Sequence, residues 1–334
     1  MVHRAHFKVL VLGLCLLLSS LLTVPASRAG TVLVVKDKLG RTVKVKVPVK
    51  RAIVIVGYEL IPALKVWKQV IGVSSWAYKV CDLFKRFYEL GKEYRKSTVG
   101  TGINLNIEKI FKLKPDLIIT WTYDLRPVKF LSEYGFPVYT VYPDSIKELF
   151  SLFLTEGKFF GKLSRARFLV RETKELLNFI KNRTRFISDK KKILYVGVKP
   201  TVVSGGIGIP NELIKLIGGI NPASNIKRRN AEVSIETIYK WNPDVIFIWG
   251  CARYSPDYFY SRPEWSYVSA VKHHRVYKLP NWSTWSPRIA LIALYMAKKA
   301  YPKLFKDVNF KEVANQFYEK VFGISFTNTS VDND

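Results

Sequence analysis

The chain has 334 residues, is 48% apolar and 14% aromatic by composition, and carries a formal charge of +28. That length accommodates two domains of ordinary size, and the apolar fraction excludes a chain disordered throughout. The basic surplus is compatible with an anionic ligand, nucleic acid or an acidic membrane surface, but the lysines are spread along the chain instead of gathered in one arm. We read them mainly as a solvated, mutually repelling surface and expect no nucleic acid partner.

His3, Arg4, His6 and Lys8 open the chain, and a mostly apolar run from Val9 to Leu22 follows. Ser27-Arg28-Ala29 then places small residues where a signal peptidase reads. This pattern is that of a secretory signal, too short for a comfortable membrane span. Cleavage after Ala29 and export to a periplasm are expected, with an uncleaved anchor as the alternative. Cys15 is not read as a lipoprotein site, because too little apolar sequence precedes it. Cys81 and Cys251 are the cysteines beyond the signal; export permits a disulfide between them, and plain buried thiols are the simpler expectation. His273 and His274 are the histidines beyond the signal, side by side in a turn, which is poor material for a bare zinc or nickel site.

Val32–Val35 and Thr42–Val47 flank Asp37-Lys38-Leu39-Gly40 and predict a hairpin. Residues 53–56 predict a first buried strand, 60–67 a helix, 70–73 a second strand and 138–141 a further one, so strands alternate with helices as in an α/β lobe with a parallel sheet. Residues 145–187 carry no strand signal. Leu163, Ala166, Val170, Thr173, Leu177, Ile180 and Thr184 recur at three- and four-residue spacing, which predicts one long helix of about 33 Å. A second lobe starts at residues 193–198, continues through a helix around Asn211-Glu212-Leu213 that ends at Gly218-Gly219, and reaches a last strand at 276–279. Ser286 and Pro287 then open a final helix as cap and first turn, and residues from Ser325 on read as a frayed end.

One unit occurs twice. Residues 107–121 (IEKIFKLKPDLIITW) and 235–249 (IETIYKWNPDVIFIW) align without a gap and agree at Ile, Glu, Ile, Lys, Pro, Asp, Ile and Trp. In each, a polar cap (Asn106, Ser234) precedes a short helix, a proline ends it, and an apolar run suited to a doubly buried strand follows. Two such copies predict two similar lobes. Asp116 and Asp244 read as turn or strand-edge residues.

With these pieces in order, the chain resembles the class III periplasmic substrate-binding proteins of ABC importers, which carry ferric siderophores, haem, cobalamin or, in some members, molybdate and tungstate. The matching segments are DKLGRTV with KRAIVI, NLNIEKIFKLKPDLII, SGG followed by NELIKLIGGINPA, VSIETIYKWNPDVI, WSYVSAVKHHRVY, and SPR before an apolar helix ending YPKLF, spread over about residues 37–305. The resemblance implies two α/β lobes with parallel sheets bridged by one long helix, with a ligand cleft between them. Expected boundaries are 1–29 signal, 30–50 hairpin, 51–144 N-terminal lobe, 145–188 linker helix region, 189–324 C-terminal lobe and 325–334 tail. It also implies that Glu108 and Glu236 dock on arginines of a membrane permease, although both stand where a helix N-terminus favours a carboxylate anyway.

Ligands of open α/β sheets lie beyond the carboxyl ends of the strands. That rule selects Tyr58, Trp76, Tyr78, Trp121, Tyr123 and Arg126 from the first lobe. From the second it selects Gly205, Gly206, Trp249, Arg253, Tyr254, Trp282, Trp285 and Arg288. Aromatic rings with guanidinium groups suit a flat or chelated ligand bearing anionic groups; inter-lobe packing is the competing reading for the tryptophans. Tyr58 would ligate ferric iron only if ionised, and Gly205-Gly206 could form an anion nest. The expected function is delivery of a metal chelate to an importer by a monomer without cofactor. An oxyanion cargo is the alternative, and a two-lobed exported transferase or hydrolase is the alternative of another class. Against the enzyme, no zinc-protease HExxH, Walker-type loop or nucleophile elbow is found.

Overall fold

The computed structural model describes residues 30–327; the expected signal, its cleavage point and the last seven residues lie outside them. Strands β1 (Thr31–Lys36) and β2 (Thr42–Val47) form an antiparallel hairpin. The buried carboxylate of Asp37 closes its turn by accepting from the Leu39 and Arg41 amides and from the Arg41 guanidinium. The hairpin is pinned to the first lobe through Arg41 to the Val138 carbonyl and through the Lys38 amide to that of Thr140.

The first lobe is built on β3 (Ala52–Val54), β4 (Val70–Val73), β5 (Ser97–Thr98), β6 (Leu117–Trp121) and β7 (Val138–Val141), in the order β5-β4-β3-β6-β7 and parallel throughout. The second is built on β8 (Ile193–Val196), β9 (Val202–Ser204), β10 (Asn230–Glu232), β11 (Val245–Ile248) and β12 (Val276–Lys278), in the order β10-β9-β8-β11-β12. It departs from the all-parallel expectation. β8 and β9 are joined by a short turn, which cannot make the crossover a parallel pair requires, so β9 runs antiparallel to β8; β10 in turn pairs antiparallel with β9. Along β8 and β11 the side chains alternate between two cores: Ile193, Tyr195, Val245 and Phe247 face the large core, while Leu194, Val196, Ile246 and Ile248 face a smaller one with Phe259 and Trp265. Burial on both faces accounts for the unbroken apolar run.

The predicted stripe forms the helix Leu163–Thr184. Near its start Arg165 Nε donates to the Ala63 carbonyl of the first lobe, and at its end Thr184 Oγ1 donates to the Leu216 carbonyl of the second. One 22-residue helix, about 33 Å long at 1.5 Å per residue, therefore touches both lobes. Against it packs the helix Ile289–Ala300, buried on nearly all sides. No helix among the described residues is long and apolar enough to cross a membrane.

The two repeated units fold alike. Helices Ile107–Leu113 and Ile235–Trp241 are capped by Asn106 and Ser234, which accept from the Lys109 and Thr237 amides. Both end on a left-handed residue, Lys114 (φ 44°) and Asn242 (φ 43°), immediately before the proline. Asp116 then accepts from the Lys50 and Arg51 amides, both at 2.8 Å, and Asp244 from the Lys192 amide at 2.7 Å. Each aspartate so ties the start of the neighbouring strand, β3 or β8, to the start of its own. Three departures from expectation go beyond a residue or two at a strand end. The helix expected over 60–67 is Leu60–Leu64, stopped by the left-handed Lys65. Ile289–Ala300 is not the last helix, because Phe310–Phe322 follows with Asn309 as its cap. Phe326, expected in a frayed end, packs its ring 5.0 Å from that of Tyr318.

Candidate functional site

Sheet order sets what stands along the rim of the first lobe. At or just beyond the ends of β4, β3, β6 and β7 stand Trp76, Tyr58, Trp121 with Tyr123, and Tyr142. Trp76 and Trp121 meet edge to face at 5.8 Å, and Tyr123 stacks on Trp121 at 5.2 Å. The Trp121 indole N–H donates to the Gly102 carbonyl at 2.8 Å, which fixes its ring. Gly102 is required there, since a Cβ would stand 2.2 Å from the Trp76 ring. The result is a braced aromatic wall whose outer member, Tyr123, is 71% exposed.

Tyr58 lies deeper, its ring 5.5 Å from Phe84. Burial, then the neighbouring Cys81 and Glu59, push its phenol pKa far up, so it is un-ionised at neutral pH. Burial also pushes the Cys81 thiol well up and that of Cys251 up to about 11, in both cases with Glu59 adding to the effect. Both cysteines are free; Cys81 faces the Glu59 carboxylate at 3.5 Å and Cys251 the Asn281 side-chain oxygen at 2.6 Å.

Several expected contacts are committed elsewhere. Tyr78 turns into its own lobe, where its hydroxyl accepts from the Lys96 amide at 2.6 Å. Arg126, with its side chain 90% exposed, folds onto Asp124, the cap of its helix. Tyr254 donates to the Gly197 carbonyl at 2.7 Å. Trp282 is buried and donates to Asp82 Oδ2 at 3.0 Å. The Gly205 and Gly206 amides form no nest, because they donate to the Arg229 and Ile226 carbonyls. A Cβ on either glycine would collide with the backbone of 224–228, so packing accounts for the glycine pair.

Arg288 is the largest departure. It is fully buried, with Nε 2.9 Å from Glu59 Oε2, Nη2 against Glu59 Oε1, Nη1 2.7 Å from Asp82 Oδ1 and 3.0 Å from the Tyr318 hydroxyl. Burial works to lower its pKa, but Glu59, Tyr318 and Asp82 hold it well above the ordinary value. The segment 281–288 is sewn to the first lobe at further points, through Asn281 to the Val80 carbonyl and the Ser283 amide to Glu59. A second link joins the lobes at Asp144. Arg229, from the second lobe, pairs with both its oxygens at 2.5 and 2.7 Å, while its guanidinium lies 3.9 Å over the Tyr142 ring. Tyr142 meets Trp285 at 4.9 Å, and Lys38 meets Asp144 at 2.9 Å. Sequence reasoning missed Glu59, Asp82, Tyr142, Asp144 and Arg229. No local pattern marks them, since their partners come from distant parts of the chain.

Left at the strand ends with surface to offer are Trp76, Trp121 and Tyr123 in the first lobe and Trp249 and Arg253 in the second. Arg253 is exposed. Glu108 and Glu236 stand apart, exposed on the two matched helices; Glu108 pairs with Lys112 at 2.6 Å. The pKa of Glu236 is lowered by the Ser234 hydroxyl and by its own amide.

The chain is similar to proteins of known type over most of its length. The molybdate-binding protein MolA of Haemophilus influenzae is 24% identical over 330 residues, covering 88% of this chain and 92% of that one. An uncharacterized ABC transporter substrate-binding lipoprotein of Bacillus subtilis, YvrC, is 30% identical over 227 residues, covering 65% and 71%. The crystal structure of Helicobacter pylori CeuE as a nickel–histidine complex superposes with a TM-score of 0.78 at 28% identity, covering 88% of this chain and 97% of that one. The family model for periplasmic binding proteins matches residues 57–282. With two lobes, a shared helical strut and a match of that span, the chain belongs to the periplasmic binding protein family and is a non-enzymatic substrate-binding protein of an ABC transporter.

Proposed function

We propose that the chain, exported and freed of its first 29 residues, captures a preformed metal chelate between its lobes and delivers it to an importer permease. The observation that carries this is the braced wall of Trp76, Trp121 and Tyr123. A flat or ring-bearing chelate gains stacking on such a face, and a fixed indole loses little freedom on binding. The ligand supply supports the same reading. Among the described residues no group of three or more His, Cys, Asp or Glu could hold a metal ion, and a bare cation needs several such donors brought together, so a metal would arrive with ligands of its own. The Helicobacter pylori CeuE structure is a nickel–histidine complex, a metal accompanied by a small organic ligand. Glu108 and Glu236 present one carboxylate on each lobe, the arrangement a two-point electrostatic dock on a membrane permease requires.

A second reading, an oxyanion such as molybdate or tungstate, is favoured by one observation. Arg253 is an exposed guanidinium at the second lobe's strand ends, and guanidinium pairs well with oxyanions. Mass spectrometry and a visible absorption spectrum of protein purified from its own host separate the two. An organic chelate, with a haem, cobalamin or ferric band where the metal gives one, is expected; molybdenum or tungsten without a chelator would move the assignment to the oxyanion. Docking is tested by Glu108→Arg with Glu236→Arg, which is expected to abolish uptake and leave cargo affinity unchanged. Normal uptake in that double variant would refute it.

A further inference from the structure

The two helices that carry Glu108 and Glu236 share a second feature. Three residues after each glutamate stands an aromatic residue, Phe111 or Tyr239, and four after it a lysine, Lys112 or Lys240. Residues three and four apart share one face of a helix, so carboxylate, ring and ammonium form one patch on each lobe. In the first lobe Phe111 meets Tyr134 at 5.2 Å, and Tyr134 meets Phe130 at 4.7 Å. In the second, Tyr239 meets Tyr267 at 6.2 Å, and the Glu236 charge acts on the Tyr239 phenol. The outer ring is exposed in both: Tyr134 by 62% and Tyr267 by 71%. The two tyrosines come from segments outside the repeated unit, so an exposed ring is set against each repeated helix by a different route.

Large exposed aromatic rings in contiguous groups mark interaction surfaces, and tyrosine is prominent among residues that dominate binding energy. We infer that the permease footprint on this protein is a pair of aromatic platforms, Phe111–Phe130–Tyr134 and Tyr239–Tyr267, each flanked by its glutamate. The occupant is a pair of like permease subunits, each offering an arginine for the carboxylate and an apolar side chain for the ring. Two like surfaces call for a partner that presents its own surface twice, and the exposed carboxylates set the sign of its charge. The inference rests on the docking reading above and assigns to the rings the affinity that two exposed ion pairs alone would not supply.

The test measures binding of the full chain to its permease–ATPase complex in nanodiscs. Tyr134→Ser with Tyr267→Ser is expected to weaken binding about tenfold or more, with cargo affinity and melting temperature at the wild-type level. Tyr134→Phe with Tyr267→Phe should bind as the wild type, since the ring and not the hydroxyl makes the contact. If the serine variant binds like the wild type while Glu108→Arg with Glu236→Arg does not bind, the platforms are wrong and the docking reading stands. If both bind like the wild type, the docking reading falls and takes the platforms with it. Self-association of the chain that depends on these tyrosines, without any effect on permease binding, would assign the surfaces to a second copy and overturn the inference.

Discussion

Arg288 and Arg229 each reach from the C-terminal half of the chain to a carboxylate of the first lobe, in opposite surroundings. Arg288 is sealed from water and shared among Glu59, Asp82 and Tyr318. Arg229 keeps 40% of its side chain exposed, pairs with Asp144 and lies on Tyr142. A buried pair is weak evidence of net stabilisation, but removing one member strands the other's charge in a poor solvent. A solvated pair is screened and easily exchanged for water. The same pairing chemistry thus gives a fixed joint at Arg288 and a clasp at Arg229 that can open without great cost, which is the division a protein needs if its lobes are to shift around a cargo.

The comparison breaks first at the buried joint. Arg288→Met leaves Glu59 without its counter-charge and is expected to cost about 3–5 kcal/mol of stability, read from denaturant unfolding. A loss near that of an exposed pair would show that the joint is not sealed. Glu156 supplies the contrasting case, a buried carboxyl with one oxygen lacking any partner, which burial pushes up to about 8. Its folded pKa lies above the ordinary 4.5, so between those values the folded chain holds a proton that the unfolded chain has released. Stability from this group is therefore present at low pH and lost as pH rises through that window. Glu156→Gln should flatten the fall and add on the order of 3 kcal/mol at pH 8, with little change at pH 5. The smallest effect belongs to the clasp: Arg229→Met should cost about 1 kcal/mol, and the difference from wild type should shrink in ~1 M salt. If instead Arg229→Met rivals Arg288→Met, the distinction between joint and clasp is lost.

Much of the frame was legible in the sequence because it rests on local periodicity. The stripe from Leu163 to Thr184 coincides with the helix that forms, and the repeated unit marks matched caps, turns and strands. What failed depends on contacts between distant residues. Ser97–Thr98 is too short to show a period. Arg288, in Ser-Pro-Arg after a tryptophan pair, looks like a cleft cation until the fold brings Glu59 and Asp82 against it from 229 and 206 residues away. Gly205-Gly206 looks like a nest until the carbonyls of 226 and 229 take its amides. Of the candidate site, the aromatic wall was readable because Trp76, Trp121 and Tyr123 stand at or within three residues of predicted strand ends. The two inter-lobe arginines were not readable as joints, since nothing local distinguishes a guanidinium that will be spent from one that will be free.

Cargo is expected to stack on the wall at Trp121. Calorimetric titration of the mature protein and its Trp121→Ala variant with ferric, haem and cobalamin-type chelates, and with molybdate, tests it most directly. One chelate should bind the wild type, the variant should bind it about tenfold or more weakly, and molybdate should give no heat. Binding of molybdate alone, equal in wild type and variant, would contradict it.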